Sequence, residues 1–202
     1  MDMDAELAGH LDAVETLRAE QARQLHGELG GLLTAARMIL ATLDTTPAQG
    51  ALARIDSQLA EALAIKQRVV EALRPGMLDH FGPGAALVSH FETRCQSAGV
   101  PFHCNAPFGL PFPALTAGIV LYRVGESILA LALPDSPSAV RLTVSSDAGQ
   151  YRVVIGAEAV PAARSNAPFL GVLARWIARH GGSLEGRMEG TSLVVEAAVP
   201  LR

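Results

Sequence analysis

Cysteine is scarce: Cys95 and Cys104 are the only two in 202 residues. No export signal accompanies them, so reduced thiols are expected rather than a disulfide framework. Charge is scarce too. Charged residues make up 18% of the chain and hydrophobic ones 50%, which excludes a disordered chain and leaves enough apolar surface for a core. The net charge is −4 and no long basic run or basic face stands out, so nucleic acid is not an expected partner. The first acids, Asp2, Asp4 and Glu6, have the wrong sign for a secretory leader, and no apolar run follows them. The most apolar window, Leu115 to Leu133, contains Arg123, Gly125 and Glu126 and has prolines on both sides. A buried helix suits it better than a membrane span. A cytoplasmic location with no membrane contact is the expectation.

His90, Cys95, His103 and Cys104 lie close enough in sequence to raise a zinc site. His103 and Cys104 are adjacent on an expected strand, where they would point to opposite faces. Core and surface roles are therefore expected, and no metal.

What is present divides into two halves. Leu25, Leu29, Leu32, Ala36, Ile39 and Leu43 alternate steps of four and three, drawing one apolar seam along a helix. Leu7, Leu11 and Val14 keep a similar rhythm upstream. Thr45-Thr46-Pro47 interrupts it, and Pro47 suits the first turn of a second helix. Leu52, Ile55, Leu59, Leu63, Val70 and Leu73 then continue the seam until Arg74-Pro75-Gly76. Two helices cannot enclose such a seam, whereas two hairpins can, as a four-helix bundle. A homodimer is expected through residues 1–76. The alternative is a hairpin folded onto its own C-terminal half.

Residues 77–202 change period. Strands are expected over Gly99 to Cys104, Val140 to Val144 and Tyr151 to Ile155, the last two antiparallel about an Asp147-Ala148-Gly149 turn. Helices are expected over Pro113 to Leu133 and Leu170 to His180, the second ended by Gly181-Gly182. Leu184 to Arg187 and Ser192 to Val199 form a closing pair. The expected fold class is α+β: a helical hairpin, then an α/β sandwich.

Three motifs, in order along the chain, carry a resemblance. The run Arg23-Gln24-Leu25-His26-Gly27-Glu28-Leu29-Gly30-Gly31-Leu32-Leu33-Thr34-Ala35 resembles the phosphoacceptor helix of bacterial sensor histidine kinases. Leu73-Arg74-Pro75-Gly76-Met77-Leu78-Asp79-His80-Phe81-Gly82 resembles the end of the second helix in one of their subfamilies, which reads Leu-Arg-Pro-x-x-Leu-Asp-x-x-Gly. Gly171 to Arg175, His180 to Glu185 and Gly190-Thr191 resemble the last helix and closing strands of the kinase ATP-binding domain. The resemblance spans nearly the whole chain. It implies a dimeric phosphoacceptor hairpin followed by an ATPase-like sandwich, with His26 as the phosphoacceptor.

The departures decide what kind of relative this is. The family's ATP-binding helix reads Glu-x-x-x-Asn. Here Glu126 remains, but the Asn position is Ala130, which offers no oxygen to a phosphate-bridging Mg²⁺. Leu131, Ala132, Leu133 and Pro134 follow. The adenine-binding Asp-x-Gly is replaced by Gly156-Ala157-Glu158-Ala159-Val160, and the glycine-rich lid by Pro161 to Pro168, which has no glycine. The acid that follows the family's His is Gly27, and its hydrolytic Gln is Gly31. Elements for using ATP, for activating the histidine and for hydrolysis are all replaced.

A neutral imidazole can still attack a phosphoryl group, and histidine titrates near enough to neutrality to supply one. On a helix, His26 falls one step of about 100° from the Leu25 seam position, beside the apolar stripe. Gly27, Gly30 and Gly31 each cost about 1 kcal/mol relative to alanine in a helix. One reading makes them clearance for a docking receiver domain. Arg23, Gly27, Gly30, Leu33 and Arg37 would then be partner-binding residues, with His26, Gly30, Leu33 and Arg37 as one stripe. The expected function is a histidine phosphotransfer protein of a two-component phosphorelay, exchanging phosphate with response-regulator receiver domains. It would need no cofactor of its own, the receiver supplying Mg²⁺. A sensor histidine kinase is a further partner the resemblance admits. The alternatives are a non-catalytic adaptor, or pseudokinase, that binds a regulator or kinase, and an active kinase with a divergent ATP site.

Overall fold

The computed structural model describes residues 3–42, 49–107, 109–161 and 168–201. The Thr45-Thr46-Pro47 break and most of the Pro161 to Pro168 segment lie outside them. The chain forms two units. Ala13–Gly76 is one; the described residues up to Asp12 group with Met77 onwards as the other. The first twelve residues, read from sequence with the hairpin, therefore go with the C-terminal unit.

Helix α1 (Met3–Gln24) belongs to the first unit only from Ala13 onwards; it runs into a π-helical turn, Leu25–Leu29, and then into α2 (Gly30–Thr42). Helix α3 (Gln49–Leu73) packs against α2 and the π turn. Many apolar side chains of the hairpin are uncovered. Leu32 is 70% exposed and Ile39 63%, with Leu29, Ile55, Ile65 and Val69 also open.

The second unit is a five-stranded mixed sheet under helices. Its strands are β1 (Phe102–Asn105), β2 (Val140–Asp147), β3 (Gln150–Ala157), β4 (Ser183–Glu189) and β5 (Ser192–Pro200). They lie in the order β1-β2-β3-β5-β4, with β1 parallel to β2 and the other pairs antiparallel. Ala148 and Gly149 both have positive φ, 46° and 77°, as a tight hairpin between right-twisted strands requires. Alternation sets one face inward: Leu142 and Val144 from β2, Val153 and Ile155 from β3, Leu193 and Val195 from β5, all buried. Helix α5 (Leu115–Ala132) lays Leu121, Val124, Ile128 and Leu129 on that face, and α6 (Pro168–Arg179) adds Leu173, Trp176 and Ile177. Helix α5 is long and apolar enough to cross a membrane, but 61% of its apolar window is buried within the domain. Each such side chain contributes roughly 2 kcal/mol through the water it sheds.

Helix α4 (Gly76–Ala98) has no counterpart in the sequence reading. Gly82 hides it. At φ 77°, ψ 177° the residue lies outside helical geometry, and Pro83 restarts the helix as a first-turn proline. Beyond the kink, Leu87, Phe91 and Cys95 enter the core. The Phe112 ring covers Gly82, with Cδ1 2.5 Å from where a Cβ would stand. The last glycine of the Leu-Arg-Pro motif is thus a structural requirement. Gly82→Ala should cost about 1–3 kcal/mol from backbone strain alone, measured by chemical denaturation. Adding Phe112→Ala should not recover it; full recovery would show that only the ring contact mattered.

Candidate functional site

His26 lies inside the π turn and is exposed. Among the described residues it makes no hydrogen bond or ion pair. At the end of the turn the Gly30 N–H donates to Leu25 O, five residues back, and to Gly27 O, three back, in place of the usual four-residue step. Its sequence, Leu-His-Gly-Glu-Leu, is helically weak because Gly27 supplies no side chain. π turns are rare insertions that frequently coincide with functional sites.

The five residues expected to form a docking surface are not equivalent. Arg23 and Gly27 are exposed like His26, and nothing lies within 4 Å of a Cβ placed at Gly27. Leu33 is half-buried. Gly30 is buried instead of open: the Lys66 side chain from α3 lies over it, its Nζ 2.9 Å from a Cβ position. The clearance that Gly30 creates is filled from within the hairpin. Arg37 is engaged across the hairpin, with Nε 2.8 Å from Asp56 Oδ1 and Nη2 3.3 Å from Oδ2. That hydrogen-bonded guanidinium holds the Asp56 carboxyl below its ordinary range.

At the positions that the sequence resemblance assigns to nucleotide contacts, both acids are engaged. Arg123, buried in α5, donates to Glu126 Oε2 at 2.9 Å. Arg141 of β2 donates to Glu158 at 3.0 Å. Ala130 is an exposed methyl four residues after Glu126. Behind this surface, the Tyr122 hydroxyl lies 3.4 Å from His90 Nδ1. Burial pushes the His90 pKa down, favouring the neutral ring. Cys95 is fully buried in the core, while His103 and Cys104 are exposed on the edge strand β1.

The fold has a counterpart in solved structures. The histidine kinase domain of the Erythrobacter litoralis EL346 blue-light activated histidine kinase matches over 92% of this chain and 94% of its own, at 20% identity and a TM-score of 0.54. The chain has a histidine-kinase-like fold. The longer EL346 structure matches at 18% identity and a TM-score of 0.49, over 89% of this chain and 59% of that one. The catalytic domain of the histidine kinase ThkA matches over 58% of this chain and 90% of its own, at 16% identity and a TM-score of 0.43. No protein-family model matches the chain, and no curated protein does.

One cluster in the kinase-like unit has no sequence signal, because its members are 164 to 168 positions apart. Asp12 accepts from Trp176 Nε1 at 2.7 Å, from Arg179 Nε at 3.0 Å and from His180 Nε2 at 2.9 Å. Burial raises the Asp12 pKa, but the three hydrogen bonds outweigh it and hold the carboxyl below its ordinary range. The clasp ties the start of α1 to α6, next to fully buried Ala8. A depressed carboxylate stabilises the fold above its ordinary titration, near pH 4, and loses that contribution as pH falls through the lower native value. Asp12→Asn should cost about 1 kcal/mol at neutral pH, the charge-assisted bonds being discounted for partial exposure. Fluorescence of Trp176, the only tryptophan, should report release of the clasp in the variant and in wild type on acidification. An unchanged spectrum in both would contradict this role.

Proposed function

We propose that this chain is a histidine phosphotransfer protein: a kinase-like dimer that carries phosphate on His26 between receiver-domain aspartates and does not use ATP. The observation that carries this reading is a contrast within one fold. His26 is exposed and uncommitted on a π turn, whereas Glu126 and Glu158 are tied up by arginines and Ala130 replaces a metal-binding side chain.

The chemistry asked of this chain is small. A lone pair on one ring nitrogen of neutral His26 forms the P–N bond. The bond between phosphorus and the receiver's aspartyl oxygen breaks, and its electrons return to that carboxylate. The proton on the second ring nitrogen stays until water takes it. The receiver's acidic pocket and Mg²⁺ neutralise the charge on the moving phosphoryl group. Glycine at positions 27 and 31, where the resembled kinases carry an acid and a Gln, suits a carrier that neither draws phosphate from ATP nor discharges it to water. The open apolar stripe through Leu29, Leu32 and Ile39 supports a second copy of this chain as its cover, closing a four-helix bundle. Such a relay would operate in the cytoplasm.

An adaptor that binds a regulator without carrying phosphate is the second reading, favoured by the same two glycines. Incubation with a phosphorylated receiver separates the two. The wild type should acquire acid-labile label on His26 and His26→Ala none; docking without label on any receiver that binds would establish the adaptor. Light scattering should give about twice the protomer mass of 21.1 kDa. Leu32→Glu, which places a charge in the seam, should halve it, and a monomeric wild type would remove the dimer from this proposal.

A further inference from the structure

One lysine stands among the chain's sixteen lysine and arginine residues, and it is Lys66. It lies in α3, half-buried, with its stem across the π turn: Cδ is 3.6 Å and Nζ 2.9 Å from the Cβ position of Gly30, and the Leu25 carbonyl oxygen is 3.8 Å from the same point. Gly30 follows His26 by four residues. The ammonium therefore lies against Gly30, about one turn C-terminal to His26 and at the end of the π turn that carries it.

Arg18, Arg37, Arg123, Arg141, Arg152, Arg179 and Arg187 each pair with a carboxylate. Among the described residues Lys66 forms no ion pair and no hydrogen bond. Arg23, Arg54, Arg68 and Arg94 also have no ion pair among the described residues, but all four are exposed, whereas Lys66 is half-buried. Lysine also differs from the arginines in kind: it is a compact charge with three donors on a flexible stem, suited to a tetrahedral phosphate that changes position. An arginine fork would favour a fixed, planar contact.

We infer that Lys66 binds the phosphoryl group on His26, pairing with its oxygens once the P–N bond has formed. Gly30 is then the notch that admits the lysine stem beside the π turn, which explains why this glycine is buried. This rests on His26 being the phosphate carrier, but it is testable without any receiver. Phosphoramidate transfers its phosphoryl group chemically to an exposed imidazole, releasing ammonia. Lys66 has one competitor for amine-acylating reagents, the chain's α-amino group, which serves as an internal control resolved by peptide mass spectrometry.

The experiment compares acylation of Lys66 in full-length protein before and after His26 is phosphorylated with phosphoramidate. Phosphorylation should protect Lys66 several-fold and leave the α-amine rate unchanged. His26→Ala, treated identically, should show no protection. Equal Lys66 rates on phosphorylated and unphosphorylated protein would overturn the inference. Lys66→Met keeps the stem over Gly30 and removes the charge. It should slow label uptake from a phosphorylated receiver about tenfold while helicity and dimer mass stay at wild-type values, and Lys66→Arg should recover part of that rate. A Met variant with wild-type transfer would restrict Lys66 to packing. Protection with phosphoramidate but no uptake from any receiver would leave the phosphate site standing and remove the relay.

Discussion

Helix α5 must be apolar to hold the kinase-like domain together. It lies across the inner face of the sheet, and Leu121, Val124, Ile128 and Leu129 supply the layer on which β2, β3 and β5 close. In a kinase this helix also has to present polar atoms to a metal-bridged triphosphate. The only charged side chains on α5 are Arg123 and Glu126, and they satisfy each other. Removing either would leave a poorly solvated charge, so the pair is easier to keep than to dismantle.

The hairpin has the opposite character. It is helically weak around His26 and exposes apolar side chains along one stripe. Three glycines, a π turn and an exposed imidazole lie within seven positions. A strong α-helix would tolerate none of these without a compensating contact. Lys66 lies over Gly30 and contributes packing along its stem. The cross-hairpin Arg37–Asp56 pair fixes the two helices relative to each other one to two turns further along. His26 is thus carried on a locally loosened helix whose surroundings are held in place.

Much of this was legible in the chain. The four-three spacing identified the hairpin, the Ala148-Gly149 turn marked β2 and β3, and Gly181-Gly182 ended α6, because each signal is local and repeats within a few residues. Helix α4 was not legible. Gly82, Pro83 and Gly84 interrupt any helical pattern, while in the fold they are one kink inside a helix that then buries Leu87 and Phe91. The π turn was equally hidden: a widened hydrogen bond leaves no periodic trace over five residues. Placing Gly30 on an exposed stripe assumed a regular helix with nothing above it, and Lys66 approaches from a helix thirty-six positions away. The Asp12 clasp joins the two ends of the chain, where no pattern in sequence can act. His26 itself was found by local motif, and the structure supplies its setting.

The central claim is that phosphate reaches His26 from another protein and not from ATP. Titration of the intact protein with Mg-ATP in a calorimeter addresses it most directly. A chain whose nucleotide positions are Ala130, an arginine-bound Glu126 and an arginine-bound Glu158 should give no saturable heat at millimolar nucleotide. Saturable binding in the micromolar range, followed by γ-phosphate appearing on His26, would contradict it.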